Sequence, residues 1–353
     1  KSGEGPDIFR YHNTWIPEMR EVLSPLPASV MTVAEFGRTF YPIHLMDLTR
    51  DSKIYGIPLH IDGLVLMYNE DLFKKAGIGV APVSWEDILD DVAKLTVKSQ
   101  SGEIVTAGIA LGTAGNVQHF SDIFGLLLIQ NGGDIAKLNE PEAEGALESY
   151  RKFAEANGAS WDERLPNSIN AFAQEKVAII IAPSWEILTI KALNPNLNMK
   201  VVPVPVIPGS KPLSLATYWV EGVSRHSKNQ IEAWKFLAFL SEKESETKLY
   251  ELQSKVRLFG DVYSRRDLGE LLISHEFLGA VVKQAQGEGS YKSLPLVSRT
   301  YDNGLNDLII AYIENAINET IQGVSYGRAL STAHEGVVQV LQNFQILSKP
   351  VSQ

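Results

Sequence analysis

The sequence predicts an α/β protein in which mixed, mainly parallel sheets are flanked by helices, and three observations carry that prediction. Segments that read as strands recur at residues 64–68, 105–111 and 177–182, and the run 64–68 is continuously apolar, as expected of a strand covered on both faces. Longer segments with apolar residues at helical spacing lie between them. Strands and helices alternate along the chain instead of segregating, which is the pattern of sheets sandwiched by crossover helices. At 353 residues the chain is long enough for two or three domains.

From the start, Ile8-Phe9 after Pro6-Asp7 reads as a short buried strand, followed by a loop carrying Tyr11, His12, Asn13 and Trp15. Leu64-Val65-Leu66-Met67-Tyr68 reads as a strand, and Asn69 caps a short helix through Leu72, Phe73 and Ala76 that Gly77 stops. Ser84-Trp85-Glu86-Asp87 is a capping box, with Trp85, Ile88, Leu89, Val92 and Leu95 at helical spacing behind it. A buried helix runs through Phe120, Ile123, Phe124, Leu127 and Leu128 to Gly132-Gly133, and Asn139-Glu140-Pro141 starts another with Asn139 as its cap. The run 201–206 contains Pro203 and Pro205, which points to an edge or a frayed strand. Residues 215–223 read as one strand whose surroundings change partway along. Helices close the chain at 229–240, 305–321 and 329–341.

Composition excludes several classes of function. With 32 Lys and Arg against 42 Asp and Glu the formal charge is −10, which repels phosphate backbones, so nucleic acid is not expected as a partner. Cysteine is absent, which removes disulfides, thiolate metal sites and a cysteine nucleophile. No run of ~18 apolar residues occurs. The hydrolase elbow, the zincin helix, the phosphate-binding loop and the dinucleotide fingerprint are all missing. His12, His60, His119 and His226 show no i,i+4 pairing and read as surface or packing residues; no metal, cofactor or catalytic residue is assigned.

The remaining candidates bind rather than react. Tyr11 and Trp15 follow the first strand, Trp185 follows the run 177–182, Trp219 sits in the 215–223 segment, and Tyr301 precedes a helix. An aromatic face packs on the apolar C–H face of a sugar, while acidic and amide side chains take its hydroxyls. Asp62 beside Gly63 and Glu221 beside Gly222 are the acidic candidates. Trp85, Trp161 and Trp234 read as packing residues.

Tyr55-Gly56-Ile57-Pro58, Asp62-Gly63, Tyr68-Asn69, Phe73 and Ala76-Gly77, followed by Pro82 and Ser84-Trp85-Glu86-Asp87, resemble the extracellular solute-binding proteins of bacterial ABC importers. The resemblance is to their carbohydrate branch, that of the maltose-binding proteins. It continues through Gly5-Pro6-Asp7-Ile8-Phe9, Phe172-Ala173-Gln174-Glu175-Lys176-Val177-Ala178, Pro183-Ser184-Trp185, Val202-Pro203-Val204-Pro205 and Ser227-Lys228-Asn229, and covers nearly the whole chain. It implies a two-lobed, type II periplasmic-binding-protein-like fold whose lobes are joined by hinge crossovers. One lobe is expected from residues 1–61 with 220–274, the other from 62–219 with 275–353, with the third hinge near Leu272 to His275. It further implies a monomer outside the cytoplasmic membrane, periplasmic or as a surface lipoprotein, that closes around a sugar or oligosaccharide and docks on ABC permease subunits.

Carried over by position, Tyr11 and Asn13 match the loop after the first family strand, Asp62 the acid that binds sugar hydroxyls, and Trp185 and Tyr301 stacking aromatics, with Arg299 a polar neighbour. Trp219 and Glu221 join them by their place on the second crossover. The family's opening strand, helix and strand are not found before Gly5, so the chain is expected to be an N-terminal truncation of a longer one. A carbohydrate-active enzyme using Asp62 and Glu221 is the alternative of a different class; a non-sugar solute or a sensory role are alternatives within the fold.

Overall fold

A computed structural model describes residues 4–155, 158–287 and 289–348. In chain order, β1 (Ile8–His12) leads to α1 (Val33–Thr39), α2 (Pro42–Leu48) and β2 (Ile57–Pro58). Then come β3 (Leu64–Asn69), α3 (Glu70–Lys75), α4 (Trp85–Leu95), β4 (Val97–Lys98) and β5 (Ile104–Ile109). They are followed by α5 (Phe120–Gln130), α6 (Pro141–Arg151), β6 (Val177–Pro183), α7 (Glu186–Leu193) and β7 (Met199–Val202). The last part holds β8 (Trp219–Val223), α8 (Gln230–Leu240), α9 (Lys243–Ser254), α10 (Gly279–Gln286), α11 (Leu305–Ile321) and α12 (Tyr326–Asn343).

Two compact units share these elements: the residues up to Gly63 with Ala216–Ser293, and Leu64–Leu215 with the residues from Leu294 on. The first two changes of unit fall after Gly63 and after Leu215. The third falls after Ser293 and not near Leu272 to His275. The reason is local: α10 packs on the 3-10 turn Arg266–Leu271, and Gln286 Nε2 donates to Glu270 Oε1 at 3.1 Å, which holds the segment in the first unit.

In the first unit β1, β8 and β2 form a three-stranded sheet in the order β1-β8-β2, with both pairs antiparallel. Strand β1 runs on to His12, so Tyr11 and His12, expected in a loop, are strand residues. Tyr11 stands opposite Val220, and Arg10 opposite Glu221. The predicted strand over 215–223 is broken: β8 begins only at Trp219, after the chain has changed unit.

The second unit has a five-stranded sheet in the order β4-β5-β6-β3-β7. The sheets are mixed, as expected, but not mainly parallel: β5 pairs parallel with β6, while the β4–β5, β6–β3, β3–β7, β1–β8 and β8–β2 pairs are antiparallel. Strand β3 is the cause. β5, β6 and β7 point the same way, as strands joined by helical crossovers do, and β3 is inserted antiparallel between β6 and β7. Every residue of β6 is buried, and each large apolar side chain so placed contributes about 1.5–3 kcal/mol. β7 lies at the edge and ends at Val202, just before Pro203, whose missing N–H an edge tolerates.

Local signals mark the helix starts. Ser84 Oγ accepts from Asp87 N at 3.1 Å, and Asp87 Oδ2 accepts from Ser84 N at 2.9 Å, so the capping box is complete. Asn69 Oδ1 accepts from Asp71 N and Leu72 N at the start of α3. Asn139 does not cap α6: the cap position is Glu140, which makes no side-chain cap bond, and Pro141 opens the helix. Helix α5 is buried on nearly all sides, a core helix that starts at His119.

Candidate functional site

Tyr11, Asn13, Asp62, Trp219 and Glu221 belong to the first unit, and Trp185, Arg299 and Tyr301 to the second. Alternation along β1 turns the Tyr11 ring inward. It is fully buried, its hydroxyl donates to the Tyr55 carbonyl at 3.2 Å, and burial pushes its ionisation far up. Gly222 makes room for it: a Cβ there would lie 2.8 Å from Tyr11 Cε1. Tyr11 is therefore a core residue and not a contact for solutes.

Asn13 is also committed. Its Nδ2 donates to Asp47 Oδ2 at 3.0 Å and Ser293 Oγ at 2.8 Å, while its Oδ1 accepts from Tyr218 N at 3.2 Å. Asp47 is the centre of this knot: its Oδ2 also accepts from Tyr218 OH at 2.7 Å and Ser293 Oγ at 2.6 Å. Burial raises the Asp47 pKa, and the hydrogen bonds from Ser293, Tyr218 and Asn13 hold that rise in check. The knot ties β1 to the stretch just after the chain re-enters the unit and to the residue at which it leaves. Asn13 is a structural link. Asp47, Tyr218 and Ser293 carry no signal of this role in the sequence, because they come together only from distant segments.

Asp62 is buried; its Oδ1 accepts from Gly63 N at 2.6 Å and its carbonyl from Thr217 N at 3.0 Å. Glu221 faces Arg10 across the β1–β8 pair and binds its Nε at 2.7 Å, so its carboxylate is engaged in an ion pair at the strand surface. Trp219 is partly exposed, with the rings of His12 and Trp15 edge-on at 5.3 Å on either count. His12 is itself held by Thr14 Oγ1 at 2.9 Å and Thr217 Oγ1 at 3.0 Å. Spacing in the sequence marks Trp15 only as an aromatic past a strand; the trio exists because β1 and β8 are adjacent.

In the second unit Trp185 stands at the start of α7 and is 37% exposed. The His119 ring meets it edge-on at 5.7 Å. Arg299 and Tyr301 lie on the loop between Leu296 and α11, and Tyr301 is 69% exposed. Arg299, Tyr301 and Asn303 take φ of 67°, 50° and 52°, a left-handed backbone that costs a side-chain-bearing residue about 1–2 kcal/mol. The residues between them hold the loop in place. Ser298 N and Oγ donate to Asp122 Oδ2 at 3.1 and 2.6 Å. Asp302 accepts from the amides of Gly304, Asn306 and Asp307 at 2.8–3.1 Å. Burial would raise the Asp302 pKa, but these bonds lower it below the usual range. Inward anchors thus alternate with outward side chains.

Behind Trp185, His119 Nε2 lies 3.0 Å from Glu186 Oε1 and its Nδ1 2.7 Å from Ser298 Oγ. His119, expected as a surface or packing residue, is a buried polar link. The residue types are those of a serine hydrolase, but the proton order is not. Ser298 Oγ donates to the Asp122 carboxylate, so the imidazole does not take its proton, and the Ser298 hydroxyl is no activated nucleophile.

Residues 1–258 match the bacterial extracellular solute-binding protein family. The chain belongs to that family. A binding protein of Brucella abortus is 30% identical over 253 residues, 69% of this chain and 60% of that protein. The maltodextrin-binding protein MdxE of Bacillus subtilis is 25% identical over 292 residues, 77% of this chain and 65% of that one. The chain thus spans about three fifths of the length of these relatives. Among solved structures, a cyclo/maltodextrin-binding protein complexed with maltotetraose aligns with a TM-score of 0.76 at 21% identity, over 97% of this chain and 84% of that one. The sugar-binding protein MalE from Xanthomonas citri gives 0.76 at 18% identity, over 97% and 85%. UgpB from Mycobacterium tuberculosis, in complex with glycerophosphocholine, gives 0.73 at 16% identity, over 98% and 85%. These likenesses show the two-lobed fold. No helix among the described residues is long and apolar enough to cross a membrane.

Proposed function

We propose that this chain is the substrate-binding subunit of an ABC importer that captures an oligosaccharide outside the cytoplasmic membrane and delivers it, chemically unchanged, to membrane permease subunits. The observation that carries the reading is the pair of exposed aromatics in the second unit, Trp185 and Tyr301, the latter displayed on a strained and heavily anchored loop. Flat rings held at fixed angles suit the C–H faces of sugar rings. Arg299 beside Tyr301 supplies donors for hydroxyls. The protein works as a monomer without a cofactor. The names of the relatives support this class: maltodextrin-binding for the Bacillus subtilis protein and sugar-binding for the Xanthomonas citri one.

Intrinsic tryptophan fluorescence during titration with maltose, maltotetraose, mannotriose, tagatose and glycerophosphocholine tests it. Saturation by an oligosaccharide is expected, weakened roughly tenfold or more in Trp185→Ala, in line with the energy of a stacked ring. Saturation by glycerophosphocholine alone moves the assignment to a phosphorylated solute. Cleavage of an oligosaccharide that Asp62→Asn abolishes makes the protein an enzyme.

A further inference from the structure

The cluster behind Trp185 is a problem in proton counting. His119 is buried and its two ring nitrogens face two different acceptors, Glu186 Oε1 at 3.0 Å and Ser298 Oγ at 2.7 Å. The one proton of the Ser298 hydroxyl already goes to Asp122 Oδ2 at 2.6 Å. With the Glu186 and Asp122 carboxyl groups both ionised, all three bonds form together only if both ring nitrogens donate, so the imidazole is doubly protonated. A neutral ring leaves two choices. With the proton on Nδ1, a bare Nε2 lone pair faces the Glu186 carboxylate. With the proton on Nε2, the Ser298 hydroxyl must turn to Nδ1, and Asp122 keeps only the Ser298 amide at 3.1 Å.

The charged groups facing His119 are Asp122, on the helix that His119 caps, and Glu186, on α7. The loop contributes Ser298, and the Trp185 ring meets His119 edge-on. A cation at a helix N-terminus opposes the helix dipole, and burial opposes it further, yet the two carboxylates outweigh both and hold the His119 pKa above the usual value.

We propose that His119 is a positioning residue for the binding site: as an imidazolium it fixes Trp185, through Glu186 at the start of α7, and the 297–303 loop, through Ser298, in one arrangement, so that sugar affinity falls when the ring loses its proton. The inference rests on the carbohydrate reading of Trp185 and Tyr301. His119 does not touch the sugar; it sets the angle of one stacking ring and anchors the loop that displays the other. Because both attachments pass through one side chain, a single proton governs two elements.

The test follows Trp185 emission, taken as the difference between the protein and Trp185→Phe, from about pH 5.5 to about pH 9, alongside the dissociation constant for maltotetraose. In the unaltered protein Trp185 emission shifts in one step above the ordinary histidine pKa of ~6.5, and affinity drops roughly fivefold across the same step. His119→Gln, whose amide still donates to Glu186 but does not titrate, flattens both curves. Ser298→Ala keeps the Trp185 step and loses most of the affinity step. Trp185 emission that ignores pH, or His119→Gln with the unaltered protein's profile, overturns the proposal. Should His119→Gln fail to fold, the NMR titration of His119 in the unaltered protein decides: a ring that loses its proton below ~6.5 overturns it. A Trp185 step that His119→Gln abolishes, with no maltotetraose bound at any pH, upholds the positioning role and overturns the ligand class.

Discussion

His44 in the first unit and His119 in the second are 0% and 1% exposed, and they titrate in opposite directions. His44 lies among the rings of Phe40, Tyr41 and Tyr218, the last edge-on at 4.5 Å, and neither ring nitrogen has a hydrogen-bond partner. Desolvation therefore drives its pKa well below the ordinary value, with His60 adding to the effect, and it stays neutral. His119 suffers the same desolvation, but Asp122 and Glu186 reverse its sign. Burial sets the size of the electrostatic stakes; the partners decide which form wins. The two units thus use one residue type for different ends, an aromatic filler in one and a charged link in the other.

The largest test removes a partner. Glu186→Leu leaves the His119 cation half-paired in the interior and is expected to cost about 3 kcal/mol in urea unfolding. It should also bring the His119 pKa down toward that of His44, readable by NMR; an unchanged pKa would break the contrast.

Glu246, on α9, comes next. Ser264 Oγ donates to its Oε1 at 2.6 Å, but its Oε2 is buried without a partner. Desolvation raises its pKa to about 8, opposed by the Ser264 bond and Arg265. A carboxyl raised in the folded state contributes stability that is present below its unfolded pKa and is lost as pH rises through about 8. Glu246→Gln should therefore match the unaltered protein in acid and gain about 2 kcal/mol in mildly alkaline buffer. Equal stability at both ends of that range would refute the sign.

His44→Phe is expected to stabilise by about 1 kcal/mol, since it replaces two unpartnered nitrogens by carbon. A histidine with a depressed folded pKa contributes stability that is present above ~6.5 and lost as pH falls, and the variant should remove that acid sensitivity. His119 gives the opposite slope: its contribution is complete below ~6.5 and fades as pH rises past its folded value. Melting temperatures of His44→Phe and His119→Gln should therefore depart furthest from the unaltered protein in acid, the first upward and the second downward.

Smallest is Glu221→Gln, which breaks the pair with Arg10 at the strand surface, where the Arg10 side chain is 57% exposed. A loss of about 0.5 kcal/mol, shrinking with added salt, is expected. A loss as large as that of Glu186→Leu would show that exposure does not separate the two classes of pair.

Elements whose signal is local are legible in the amino-acid order alone. Ser84 and Asp87 sit three residues apart and close the box they encode; Asn69 caps α3 by the same logic. The runs at 64–68 and 177–182 are strands because nothing but burial on both faces accommodates them. The sheet directions are not legible, since the antiparallel insertion of β3 depends on where the chain changes unit. Among the candidate contacts, Trp185 and Tyr301 are exposed aromatics next to strand and helix ends, as their positions suggest. Tyr11 and Asn13 mislead because a residue in an aromatic and amide-rich segment looks the same whether it faces solvent or the interior. Glu186 and Ser298 each adjoin a candidate residue, yet neither position hints that His119 joins them.

By itself the sequence determined the helices, most strands, the absence of thiol chemistry and the family, because each of these rests on neighbours a few residues apart or on composition. The tertiary structure alone decided which polar side chains are spent on the fold. Asn13 meets Asp47 and Ser293, and His119 meets Glu186 and Ser298, across separations that no spacing rule encodes. Whether a buried histidine carries charge depends on carboxylates brought from elsewhere in the chain, and the field at a site is a sum over space.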